Sequence, residues 1–396
     1  MTEREAIDYP LAPIAAIEPP AEWAELREQC PVAHVRLPSG DQAALLTRYD
    51  DIRQLIGDPR FARNSSEKDA ARISMLSQQE SPIPRLGEGH QRWRRMLTKW
   101  FTTKRMAALR PQIEAMAEQL VDEMVAGGQP ADLRASFGFP LPVWVICHLL
   151  GVPNEDRDRF SHWSDTFLSV SRYSQSEIDA AQAEFTAYMA GHVAAKRAAP
   201  GEDLLGDLIT RADAAGEYLS DDALVATGKG LLIAGHETTT NMIGKMMAML
   251  LADRTHWEQL LADPTLVRTA VEETLRYDAN AGFGLTRYVD EDVELPGGTL
   301  TAGTTAICSL GSANRDESVF PDAAEFDLSR SPNVHMSFGV GPHSCVGQSL
   351  ARTELQVVLE VLLRRLPTLA LGVPVGELPP VEGLLVGGLQ KVPVVW

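Results

Sequence analysis

The stretch Phe338-Gly339-Val340-Gly341-Pro342-His343-Ser344-Cys345-Val346-Gly347 constrains the fold of this chain more than any other. One cysteine stands among three glycines, with a histidine two residues before it and an aromatic seven before it. An apolar run with helical spacing, Gln348 to Leu366, follows at once. Glycine reaches backbone conformations that side chains forbid, so this run lets backbone N–H groups turn inward. Those groups, with the start of the next helix, stabilise a negative sulfur. The chemistry that needs this pattern is a thiolate held open toward a metal. Cysteine thiolate is a standard axial ligand of haem iron, tuned by hydrogen bonds to the sulfur. A lone cysteine is more often a small buried hydrophobe, and Gly-Val-Gly can be a simple turn; the joint occurrence of these residue types argues against both. Structural zinc at Cys345 with His343 fails on ligand count, since four ligands are the norm.

The chain has 396 residues, 44% of them hydrophobic, enough for a large core. Its net charge of −18 argues against general affinity for nucleic acid or anionic membrane. Met1 to Pro20 is acidic and contains proline, with neither a basic-then-apolar leader nor an apolar span, which predicts a soluble cytoplasmic protein. Cys30, Cys147, Cys308 and Cys345 lack CxxC spacing and read as reduced thiols.

Alternation predicts a hairpin, Val32–Leu37 and Ala43–Thr47, around Pro38 to Asp41. Helical patterns cover Tyr49–Gly57, Gly87–Met106, Ile113–Val125, Leu141–Leu150, Asp156–Val170, Ile178–Arg197, Asp203–Ala212, Asp221–Leu251 and Leu266–Tyr277. Residues 62–86 read as a long loop, functional or mobile, and Asp292–Leu295, Thr299–Leu300 and Val392–Trp396 as strands. His90 and Arg94, four apart, share one helical face, and the guanidinium fork suits carboxylates. Arg92, Arg94, Arg95, Lys99, Lys104, Arg105 and Arg110 follow one another with no acid between them. Such a run is a solvated face or a docking patch for an acidic partner. The Asp221–Leu251 pattern is apolar nearly all round, as a central buried helix should be. Its middle, Ala234-Gly235-His236-Glu237-Thr238-Thr239-Thr240, breaks that rule. Gly235 costs about 1 kcal/mol relative to alanine, and a threonine bonding back to the carbonyl four residues earlier bends a helix. Glu273 and Arg276, three apart, read alone as an ordinary surface pair.

Together these motifs resemble the cytochrome P450 family. Its F-G-x-G-x-H-x-C-x-G loop is complete at Phe338, Gly339, Gly341, His343, Cys345 and Gly347, and the resemblance extends over nearly the whole chain. It implies a mainly α fold with small β-sheets (α+β), a single domain over 1–396 with an N-terminal extension at 1–20 and no reductase domain. Haem b would lie between the 221–251 helix and the cysteine loop, with Cys345 as the iron's axial ligand. The resemblance makes Ala234 and Gly235 the lining of an oxygen groove, and Glu237 and Thr238 an acid–alcohol pair that delivers protons. It places His90, Arg94, Arg287 and His343 on the haem propionates, and buries Glu273-x-x-Arg276 behind the haem to lock the cysteine loop. The family's P-x-R-F box, which supplies a third partner, has no match in Ala323-Ala324-Glu325-Phe326; Arg315 is the substitute considered. Phe283, Gly284, Leu285 and Val386, in the turn Leu384 to Leu389, would face a largely apolar substrate beneath the 62–86 loop. The implied activity is a haem-thiolate monooxygenase that inserts one atom of O2 into, or oxidatively couples, a small organic molecule of bacterial secondary metabolism. Electrons from NAD(P)H would arrive through a reductase and an acidic ferredoxin docked on the basic 92–110 face of a monomer. Two rivals are a peroxide-driven hydroxylase, against which the Glu237-Thr238 pair argues, and a haem carrier or sensor without turnover.

Overall fold

The computed structural model describes residues 6–13, 16–61, 69–74, 87–214, 219–278 and 282–396. Among them the helices are α1 (Glu22–Gln29), α2 (Tyr49–Gly57), α3 (Gly87–Thr98), α4 (Thr103–Gly127), α5 (Pro140–Leu150), α6 (Arg157–Phe167), α7 (Gln175–Ala198), α8 (Leu204–Ala214), α9 (Asp221–Ala252), α10 (Arg254–Ala262), α11 (Val267–Tyr277), α12 (Leu310–Ala313) and α13 (Gln348–Arg365). The strands are β1 (Ile7–Asp8), β2 (Val32–Arg36), β3 (Gln42–Leu46), β4 (Ala131–Asp132), β5 (Leu285–Val289), β6 (Val293–Leu295), β7 (Gly298–Leu300), β8 (Thr304–Cys308), β9 (Ala370–Leu371) and β10 (Pro393–Val395).

The molecule is built around α9. Ser220 caps it by accepting from the Ala223 N–H, and Asp221 and Asp222 sit against the positive end of its dipole. Between Leu231 and Leu251 almost every side chain is buried, each large apolar one contributing about 1.5–3 kcal/mol. Helices α5, α7, α13, α10, α11 and α6 all pack on it.

The predicted hairpin forms, with Val32 opposite Leu46 and Arg36 opposite Gln42. It joins a five-stranded sheet of order β1-β2-β3-β8-β5. Strand residues alternate between faces: Ala44 and Leu46 enter one small core with α2, whereas Ala43 and Leu45 enter another with Tyr9 and Phe283. Strands β5 and β8, absent from the sequence expectation, pair antiparallel and place Leu285 opposite Cys308.

The basic stretch divides differently from expectation. The helix predicted over Gly87–Met106 is two helices, because Thr102 takes an extended conformation and caps α4 through the Arg105 N–H. Helix α4 then continues through Pro111, with Leu109 and Ile113 on either side buried; tertiary packing there outweighs the lost N–H. The 62–86 loop lies outside the described residues except for 69–74.

Candidate functional site

Gly339 and Gly341 have φ of +64° and +72°, a left-handed backbone that suits glycine. A Cβ on Gly341 would also meet the Gly57 Cα at 2.7 Å, because the end of α2 closes on this loop. The Cys345 N–H donates to the Phe338 carbonyl (2.7 Å) and ties the loop shut. Cys345 therefore stands at the head of α13, where the helix dipole favours an anion. Of the four cysteines it alone is exposed. Burial pushes the Cys147 and Cys308 thiols up to about 12, so these stay protonated and inert.

Basic donors gather at the same loop. The His90 ring from α3 stacks on His343, with centroids 4.4 Å apart. Burial, with the Arg94 charge beside it, holds His90 below its ordinary value. Arg94 donates to the Ser344 carbonyl and to its hydroxyl. Arg287 is buried on β5 and donates to the Thr286 carbonyl (2.8 Å). That strand abuts the loop, since a Cβ on Gly339 would lie 3.7 Å from Leu285 Cδ1.

On α9, Ala234 and Thr238 are exposed although their neighbours His236, Glu237 and Thr239 are buried. Positions i and i+4 share a face, so the two form one accessible stripe on an otherwise buried helix. The Thr238 hydroxyl donates to the Ala234 carbonyl (2.8 Å), and α9 nevertheless runs unbroken from Asp221 to Ala252. Gly235 serves a different contact: a Cβ there would meet Ile146 Cδ1 at 2.7 Å, so its smallness admits α5. Glu237 is buried, its Oε1 accepting from Asn241 Nδ2 (3.0 Å) with Arg134 Nη2 at 3.6 Å. One exposed thiol, a stripe of small residues on the helix that packs against α13, and several N–H donors beside the thiol form a set that fits a metal macrocycle bearing carboxylates.

Behind the loop, Glu273 and Arg276 are fully buried and meet through two 2.8 Å bonds. The stretch that lacks the expected proline and arginine contributes backbone instead: Arg276 donates to the carbonyls of Ala323 and Glu325, and also to that of Asn314. Arg315 does not join this network. Its Nε bonds the Tyr277 carbonyl (3.0 Å) and its guanidinium lies 3.4 Å from the Tyr277 ring centroid. The third partner is Arg330, whose Nε lies 3.1 Å from both Glu273 oxygens. Asn333 and the Asp327 N–H complete the carboxylate's shell. Glu272 next door was equally missed: it binds His335 (3.0 Å) and Arg352 (2.7 Å), and Arg352 covers the Phe338 ring at 4.4 Å. Sequence reasoning also passed over Glu354 on α13, fully buried and held well above the ordinary carboxylate range by that burial. The signal available for it was an acid inside an apolar helical run.

The two apolar stretches expected at the substrate do meet, since the Phe283 N–H bonds the Leu385 carbonyl (3.1 Å). Phe283 itself is buried edge-on against Tyr9 at 5.0 Å. Gly284, with φ of +89°, packs on the Cys308 carbonyl, and Leu285 and Val386 are half-buried. Arg92, Arg95, Lys99, Lys104 and Arg105 are exposed along α3 and α4, whereas Arg110 is half-buried and pairs with Glu360.

Residues 158–370 match the family model described as Cytochrome P450. The chain is similar to the mycinamicin IV hydroxylase/epoxidase of Micromonospora griseorubida, 42% identical over 398 residues and covering 100% of both chains. It is 38% identical to the cytochrome P450 monooxygenase PikC of Streptomyces venezuelae, over 96% of this chain and 92% of that one. Among solved structures, it is similar to the LnmA cytochrome P450 hydroxylase of the leinamycin pathway of Streptomyces atroolivaceus S-140. That match has a TM-score of 0.89 and 40% identity, covering 99% of this chain and 100% of that one. No described helix is long and apolar enough to cross a membrane.

Proposed function

The chain belongs to the cytochrome P450 family and is a haem-carrying monooxygenase; from that premise we propose that Cys345 is the iron's axial ligand and that the substrate is a largely apolar secondary metabolite. The observation that carries the ligand assignment is that Cys345 is the one exposed thiol of four. It sits in a glycine-shaped loop clamped from behind by Glu272, Glu273, Arg276 and Arg330. When bound, haem supplies dioxygen activation and transfer of one oxygen atom to the substrate.

The chain's own residues hold, orient and protonate. His90, Arg94, His343 and Arg287 receive the propionates, Arg94 exchanging its loop carbonyl for a carboxylate. The Thr238 hydroxyl lies on the accessible stripe of α9 and, at rest, donates to the Ala234 carbonyl. To deliver a proton the hydroxyl turns from that carbonyl and passes its own hydrogen on as it accepts another, and Glu237 is the acid that replenishes it. The half-buried Leu285, Leu385 and Val386 cover the substrate and exclude water, while Phe283, packed on Tyr9, supports them from behind. The substrate class follows from that lining and from the relatives, one of which is named for hydroxylation and epoxidation of mycinamicin IV. Electrons are supplied by an acidic ferredoxin docked on the exposed bases of α3 and α4.

The test is reconstitution with ferredoxin, its reductase and NAD(P)H, using apolar secondary metabolites that shift the haem spin state. A product heavier by one oxygen atom is expected. Turnover with hydrogen peroxide and none with ferredoxin would favour the peroxide-driven rival.

A further inference from the structure

One turn beyond Glu237, α9 carries a second polar side chain that the mechanism above does not use. Asn241 is fully buried, and an amide taken out of water is costly unless it is bonded. Its Nδ2 donates to Glu237 Oε1 at 3.0 Å. A carboxylate only accepts, so the NH2 side of the amide is the side that faces it. Asn241 Oδ1 has no hydrogen-bond partner among the described residues.

The amide is held in place from outside its own helix. Gly388, in the loop that also carries Val386, packs directly on it. A Cβ on Gly388 would lie 2.5 Å from Asn241 Oδ1 and 2.6 Å from its Cγ. The next glycine along faces Lys245, one turn further on α9: a Cβ on Gly387 would lie 3.4 Å from Lys245 Nζ. Lys245 is tied to Asp278 at 2.6 Å.

The two oxygens of Glu237 are thereby made unlike. Oε1 has Asn241 at 3.0 Å and Arg134, from the short turn Arg134–Gly138 before α5, at 3.6 Å. Oε2 has no hydrogen-bond partner among the described residues and faces His236 Nε2 at 3.7 Å. The further charges to reckon with are Asp165 on α6, whose own ionisation Glu237 opposes, and the Lys245–Asp278 pair. Donors gathered on one oxygen favour its negative form and leave the other oxygen for the proton.

We propose that Asn241 is a positioning residue of the proton relay, holding Glu237 Oε1 as the acceptor end so that Oε2 carries the proton meant for Thr238. Gly388 keeps the amide in the rotamer that does this. The assignment rests on Glu237 being the acid that serves Thr238. In each transfer one proton leaves Oε2 toward the Thr238 hydroxyl and one from solvent replaces it. Asn241 neither gains nor loses a proton.

The experiment compares Asn241→Leu and Gly388→Ala holoenzymes with the native one. Leucine keeps the shape of the side chain and donates nothing, whereas the alanine methyl pushes the native amide away from Glu237. The infrared carboxyl band of Glu237 in the resting protein, identified by its loss in Glu237→Gln, is followed against pH. Loss of a donor to the charged form should raise its titration midpoint by about one pH unit in both variants. Arg134, His236 and Asp165 are unchanged throughout, so a shared shift belongs to Asn241. Product per NAD(P)H should fall about tenfold in both, with KM for the substrate unmoved. An unmoved midpoint in either variant overturns the proposal even where product falls, because that pattern is a packing defect. Native product per NAD(P)H beside a shifted midpoint overturns it too. Native product per NAD(P)H in Glu237→Gln would remove Glu237 from the relay and the proposal with it. The band is read without turnover, so its failure is distinct from failure of the oxygenase reading.

Discussion

At the scale of single residues, Thr238 donates to the carbonyl of Ala234 on its own helix and is exposed where its neighbours are buried. Thr238→Ala should therefore bind haem and substrate normally but divert electrons to peroxide, lowering product per NAD(P)H about tenfold or more. An unchanged ratio would remove Thr238 from the proton path. Arg276 is the opposite case, fully buried with donors to Glu273 and three carbonyls. Arg276→Met leaves Glu273 charged and only partly satisfied, and should cost about 3–5 kcal/mol in urea unfolding. A loss below about 1 kcal/mol would mean that Arg330 alone satisfies the carboxylate. Cys345, His343 and the loop glycines were readable because their spacing is local. Arg330 was not, because it lies 57 residues from Glu273 and nothing in its neighbourhood distinguishes it from Arg315. Only folding separates the two arginines, sending one to a carboxylate and the other to a tyrosine ring.

Among the elements, α11 acts as a clamp: Glu272 and Glu273 hold the segment before Cys345 from adjacent positions. Burial opposes ionisation of Glu272, but hydrogen bonds from His335 and Arg352 prevail and bring it from 4.5 to about 2. A depressed carboxylate contributes its stability above the unfolded value and loses it as pH falls through the folded one. The loss attributable to Glu272 should therefore fall between about 4.5 and about 2. Glu272→Gln should be less stable at neutral pH and flatter in that window by chemical unfolding at each pH. Parallel curves for the two proteins would show that the ion pair adds nothing. Helices were legible where caps and apolar stripes coincide, as at Ser220 before α9, whereas α7 opens at its Ser174–Glu177 capping box, ahead of the expected Ile178. Strands β5 and β8 were not, because each is defined by its partner rather than by its own pattern. The division of the basic helix at Thr102 was signalled by its cap alone.

For the whole molecule, a net charge of −18 coexists with an exposed basic face on α3 and α4. Complementary charge accelerates encounter at low salt and is screened within about 10 Å at 0.1 M. Arg92→Glu with Arg95→Glu should slow reduction by an acidic ferredoxin about tenfold at low ionic strength and little at high. No effect at low salt would return that face to simple solvation. The family was readable from three short motifs in the right order, whereas the substrate was not. Its specificity depends on how separate apolar stretches, 283–285 and 384–389, meet in space. The central claim is thiolate ligation through Cys345, and it is tested most directly by the absorption spectrum of the reduced protein under carbon monoxide, beside Cys345→Ser. The native protein should show a Soret band at the long-wavelength position peculiar to thiolate ligation, and the variant should lose it. A histidine-type band in the native protein, or a thiolate-type band surviving in the variant, would contradict the assignment.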